Sequence, residues 1–178
     1  MLKPTHFHMA HPHPHAHAGG ACCAGHAVPA DALLDAAEEH CRRQGLRLTP
    51  QRRAVLDALV RARAPLGAYD LIEALRPDGA RGPAPIAIYR ALDFLRENGF
   101  IHRLESLNAF IACPHRHAHG EKVVFLICES CRHVEEATAK PLDAALAGLA
   151  RDHEFTPARQ IVELAGTCRH CRQPTAKA

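Results

Sequence analysis

Pro85-Ile86-Ala87-Ile88-Tyr89-Arg90-Ala91-Leu92-Asp93-Phe94-Leu95-Arg96-Glu97-Asn98-Gly99-Phe100-Ile101-His102 is the stretch that decides the fold. Pro85 opens it with a φ already suited to a first helical turn. Ile88, Leu92 and Leu95 then recur on one side at helical spacing, and Asn98-Gly99 reads as a left-handed stop. Beyond the stop, Phe100 to Glu105 and Ala109 to Cys113 alternate like two strands about the turn Ser106-Leu107-Asn108. Helices that run into a short hairpin predict a winged helix-turn-helix, with residues 100–113 as the wing.

Upstream, the pattern is helical from Asp31, with Leu33, Leu34, Ala37 and Cys41 in register up to Gly45. Thr49-Pro50 reads as an N-cap followed by proline at the first helical position. Val55, Leu56, Leu59 and Val60 line the next helix, and a short one follows with Tyr69, Leu71, Ile72 and Leu75. Downstream, Lys122 to Cys128 is a continuous apolar strand with Val134 to Ala137 as its expected partner. Pro141 to Arg151 predicts a helix burying Leu142, Ala145, Leu146 and Leu149, and Gln160 to Ala165 a further strand. The class is α+β: a winged-helix domain over 31–113, a histidine-rich hinge over 114–121, and a small α+β domain over 122–178.

Residues 1–30 differ in kind. His6, His8, His11, His13, His15 and His17 alternate with Pro and Ala, and Cys22, Cys23 and His26 follow. Too few apolar groups are present to offset the entropy of ordering, which predicts a disordered tail.

Charge excludes little by itself. A net charge of +3 and a pI near 8.5 are too mild to imply a polycation, so DNA contact requires a local arrangement. No apolar run approaches a membrane span, and Met1 to Pro29 lacks the apolar core of a signal peptide. A cytoplasmic protein without a membrane partner is expected. In a reducing compartment, eight cysteines read as metal ligands before disulfides.

Cys128-x-x-Cys131 and Cys168-x-x-Cys171 are the strongest signal. Two intervening residues let a turn aim both sulfurs at one ion, and two such turns complete a tetrahedron suited to structural Zn²⁺. Two disulfides or a redox C-x-x-C are the competing accounts. A second group of potential ligands comprises His102, Cys113, His115, His117 and His119, with Glu136 beyond the first cysteine pair. They come from both expected domains, so an ion held among them would couple its affinity to domain geometry. A thiolate with imidazoles and a carboxylate favours zinc over manganese. The simpler account is a core cysteine beside histidines that decorate a solvated linker.

In the helix beginning at Pro85, Tyr89, Arg90, Asp93 and Arg96 lie off the apolar face. Tyr89 and Arg90 sit near its N-terminal end, where a recognition helix presents base contacts. Arginine suits guanine, and Arg47, Arg52, Arg53 and Tyr69 can grip phosphate. Surface arginines also serve solubility alone, and some winged helices bind proteins.

Leu48-Thr49-Pro50-Gln51-Arg52, Ala68-Tyr69-Asp70-Leu71, Ile88-Tyr89-Arg90-Ala91-Leu92 and both C-x-x-C pairs resemble the ferric uptake regulator superfamily. The run Tyr89 to Leu95, with Gly99-Phe100-Ile101-His102 and Glu105-Ser106, resembles its zinc uptake regulator branch; coverage runs from about residue 31 to 171. The resemblance implies a homodimer, joined through the C-terminal domain, whose winged helices bind an AT-rich inverted repeat in double-stranded DNA when zinc is bound. It implies repression of zinc-uptake genes, with one structural and one regulatory zinc per subunit and no enzymatic activity or small organic substrate. It assigns His102, Cys113 and Glu136 to the regulatory site, with His119 favoured over His117 as the fourth ligand. Tyr69, Tyr89, Arg90 and Arg52 become the DNA contacts. One departure is Ala87, where the family usually carries a threonine that could cap the recognition helix or touch phosphate.

Three alternatives stand beside this reading. One is an iron or peroxide sensor of the same superfamily. Another is a zinc hydrolase, which needs an open metal position and a general base, and no H-E-x-x-H motif is present. The third is a zinc storage protein, suggested by the tail.

Overall fold

The computed structural model describes residues 28–62, 64–77, 82–114, 123–138, 140–157 and 160–172. The tail's histidines and cysteines, and most of the expected hinge, lie outside the described residues.

Four helices come first: α1 (Ala30–Arg43), α2 (Pro50–Arg61), α3 (Ala68–Ala74) and α4 (Pro85–Glu97). Local chemistry sets their limits. Gly45 takes φ +66° after α1, and its neighbour Leu46 donates back to the Cys41 carbonyl at 2.8 Å. Gly99 takes φ +70° after α4, while Phe100 donates to the Leu95 carbonyl at 2.9 Å. Both ends are the left-handed stops expected from glycine. The Thr49 hydroxyl accepts from the Arg52 N–H at the head of α2. Asp70 closes the head of α3 by accepting the Gly67 N–H at 2.8 Å.

These helices bury one face each. Leu34, Val55, Leu71, Ile88, Leu92 and Leu95 are almost wholly buried and form the centre of the larger core. Truncating any of these leucines to alanine costs about 2–5 kcal/mol. The wing follows as an antiparallel pair, β1 (Ile101–Leu104) and β2 (Ala109–Ala112), with Leu66 bridged to Phe110 beside it.

The C-terminal half is a three-stranded sheet of order β4-β3-β5, where β3 is Val123–Cys128, β4 is Val134–Thr138 and β5 is Val162–Gly166. β4 pairs antiparallel with β3, whereas β5 pairs parallel to it after the crossover helix α5 (Lys140–Asp152). A four-residue helix, α6 (Arg169–Arg172), ends the described chain. The expected burial of α5 is corrected here. Ala145 is exposed and Leu149 is 58% exposed, because among the described residues no element covers that side of the helix.

The halves are not independent. Leu104 of the wing packs with Phe125 and Ile127 of β3 in a second, smaller core joined by Leu107, Ile111 and Val134. Strand alternation explains the choice of face. Phe125 and Ile127 point at the wing, and Leu126 between them points away and is exposed.

Candidate functional site

Parallel pairing of β3 with β5 makes both strands end at the same edge of the sheet, with Cys128 beside Gly166. Cys128 closes β3, and Cys168 follows β5 by two residues. A tight turn brings Cys131 back. Arg132 takes φ +61° and donates to the Cys128 carbonyl, while Cys128 donates to the His133 carbonyl, each at 2.9 Å. One turn of α6 then returns Cys171 towards the same point. The four thiols are free, and their sulfurs all lie within 4.8 Å of one another. Cys131 and Cys168 Sγ are 3.9 Å apart, close to the roughly 3.8 Å between two thiolates on a tetrahedral zinc.

Their acidities fit one shared cation. Burial raises the Cys128 thiol, but N–H donors from Cys168, Cys131 and Ser130 outweigh it and bring it down to about 6. Cys171 is pushed up to about 12, chiefly by its contact with Cys168 and then by burial. Cys131 is also raised, mainly by burial. Without a cation the cluster favours the Cys128 thiolate and disfavours those of Cys131 and Cys171. The donors suit a metal that deprotonates all four.

The second group forms between the halves. His102 is on β1, Cys113 directly follows β2, and Glu136 is on β4. One ligand atom from each lies within 4.8 Å of the other two. His102 Nε2 is 3.6 Å from Glu136 Oε1, near the roughly 3.4 Å between two ligand atoms on a tetrahedral zinc. Cys113 is buried, its N–H donating to the Phe100 carbonyl at 2.9 Å. The His102 ring lies against Phe125 at 5.1 Å between centroids. His115, His117 and His119 lie outside the described residues.

On α4 the buried stripe is Ile88, Ala91, Leu92 and Leu95. Tyr89 and Arg90 are exposed on the other side, and Tyr69 at the head of α3 is 75% exposed. Ile86 belongs to this outer face as well and is 59% exposed. No motif or charge marks it in the sequence. The available signal was its spacing of three and four residues from Tyr89 and Arg90.

Arg52, expected to grip phosphate, also has partners within the chain. Its guanidinium stacks over Phe94, 3.6 Å from the ring centroid, and donates to the Arg47 carbonyl at 2.6 Å. Arg53 is paired with Glu38. The capping role considered for position 87 is corrected too. The N-cap of α4 is Ala84, and Ala87 stands inside the first turn.

The sequence model of the Ferric uptake regulator family matches residues 43–165. The zinc uptake regulation protein of Escherichia coli (strain K12) is 34% identical over 139 residues, 78% of this chain and 81% of that protein. The peroxide operon regulator of Bacillus subtilis (strain 168) is 30% identical over 144 residues, 78% of this chain and 92% of that protein. Among solved structures, a zinc uptake regulator complexed with zinc and DNA superposes with a TM-score of 0.76 at 33% identity, covering 81% of this chain and 95% of that one. Holo XcZur superposes with a TM-score of 0.72 at 40% identity, covering 79% and 97%. A family model that matches residues 43–165 and a relative 34% identical over 78% of the chain together show that the chain belongs to the ferric uptake regulator family.

Proposed function

We propose that the protein is a zinc-responsive transcriptional repressor that binds an AT-rich inverted-repeat operator as a zinc-loaded homodimer and represses zinc-uptake genes. The observation that carries this reading is the triad His102, Cys113 and Glu136, drawn from the wing and from the sheet it rests on. Those ligands converge only when the wing lies on the sheet. Binding there therefore favours that arrangement, which is the differential affinity a sensor requires. Zinc, when bound, supplies a multidentate cross-link. The fourth ligand in this reading is His119, or else His117.

Cys128, Cys131, Cys168 and Cys171 would hold the structural zinc, giving one structural and one regulatory ion per subunit. Four protein thiolates leave no open position for a substrate, and the protein is a regulator, not an enzyme. In double-stranded DNA, Arg90 and Tyr89 would read bases, Tyr69 would contact the backbone, and Ile86 would meet a thymine methyl. Arg52 serves the same interface indirectly by bracing α2 against α4 through Phe94. Self-association is favoured by the outer face of the sheet, where Leu126 and Leu164 are exposed cross-strand partners, and by exposed Leu149 on α5. No described helix is long and apolar enough to cross a membrane. Free cysteines and a DNA partner suit the cytoplasm.

The test is operator binding across metals. Zinc should induce a gel shift with an AT-rich inverted repeat, and iron or manganese should not at matched free concentration. A shift driven by iron would instead support the iron- or peroxide-responsive reading, which the thiolate of Cys113 disfavours. Binding of zinc with no operator recognition would support storage.

A further inference from the structure

Phe125 occupies the middle of a three-residue row across the sheet, paired with Glu136 on one side and Glu163 on the other. Directly paired residues share a face, so both carboxylates flank Phe125 on the side that carries the wing. Glu136 belongs to the metal-ligand triad. Glu163 has a different partner. Its Oε1 accepts the Glu105 N–H at 2.7 Å and its Oε2 accepts the Ser106 N–H at 3.0 Å. Burial would raise this carboxyl, but the Ser106 hydroxyl and the two N–H donors hold it below the usual carboxylate range.

The wing is therefore held at two points. Its turn is gripped by Glu163, and its base meets Glu136 through His102. His102 and Glu105 are three residues apart, roughly 10 Å along an extended strand. Leu104, between them, is wholly buried against Phe125 and Ile127. A rigid strand of that length transmits the position of the turn to the imidazole.

We propose that Glu163 is a positioning residue for the triad, a latch that grips the wing turn and so sets how tightly His102, Cys113 and Glu136 bind their ion. This rests on the reading of that triad as the regulatory site. The linkage is simple. If only the closed arrangement presents all three ligands, apparent affinity falls by the fraction of molecules that are closed. Without Glu163, the turn loses its acceptor, and part of the ion's binding free energy must go into docking the wing.

The test compares Glu163→Gln and Glu163→Ala with wild type as full-length, zinc-loaded protein. Zinc content and sedimentation report the four-cysteine site and the dimer. A competition titration with a chelator reports the second zinc. Both variants should keep one tightly held zinc and the wild-type oligomeric state. Affinity for the second zinc should fall roughly tenfold or more in the alanine variant, the scale seen when groups that orient metal ligands are removed. Operator binding should then require more zinc and recover when it is supplied. If the second zinc binds equally tightly to wild type and Glu163→Ala, the latch is refuted while the triad stands. Loss of the first zinc in both variants would make Glu163 part of the sheet's framework and overturn the proposal. A wild-type protein with no second zinc site would fail the regulatory reading itself.

Discussion

His102 Nε2 and Glu136 Oε1 lie 3.6 Å apart, although one belongs to the wing and the other to the far strand of the C-terminal sheet. That approach joins the two halves through groups that could share a metal ion. Replacing His102 with alanine or Cys113 with serine should leave a folded dimer whose zinc-dependent operator affinity falls by more than about tenfold. Titrating operator binding against free zinc checks this. Wild-type zinc responses in both variants would show that the triad has been misassigned.

Cys128 and Cys171 should behave differently. Their site closes the ends of β3 and β5, so ligation and folding of that half are coupled. Cys128→Ser or Cys171→Ser should lose the tightly held zinc and the dimer together. Metal analysis alongside sedimentation is the measurement, and a zinc-free variant that remained a folded, operator-binding dimer would contradict a structural role.

Arg90→Ala should weaken specific binding by about 1–3 kcal/mol while sparing zinc content. An equal loss on random DNA would make Arg90 a phosphate contact. Ile86 offers an independent check of the docking face. Substituting uracil for thymine removes only the methyl group, so it should weaken binding by wild type more than by Ile86→Ala. Identical losses for the two proteins would remove Ile86 from the base-reading surface.

The exposed apolar side chains of the C-terminal half predict where subunits meet. Leu164 and Leu149 are each more than half exposed. Glutamate at either position should shift the protein towards monomer and weaken operator binding, since two half-sites must be held by one two-fold assembly. Sedimentation at several concentrations tests it. Dimers as tight as wild type in both variants would mean that the subunits join elsewhere.

The sequence by itself determined the local events. Thr49-Pro50, Gly45 and Asn98-Gly99 fixed helix limits because caps and left-handed stops depend on a few neighbouring residues. The periodicity of Ile88, Leu92 and Leu95 marked the buried face of α4, and the doubled C-x-x-C spacing marked four cysteines that could share a metal ion. Tertiary structure alone decided the rest. No spacing revealed that β5 runs parallel beside β3, that Glu163 would reach the wing turn, or that Arg52 would stack on Phe94. Nor did periodicity foresee that no other described element of the same chain would cover Leu149, since an apolar helical face shows only that something covers it. Contacts between residues distant in the chain depend on how whole strands and helices dock. That docking follows from the summed burial of many side chains, which no short segment encodes.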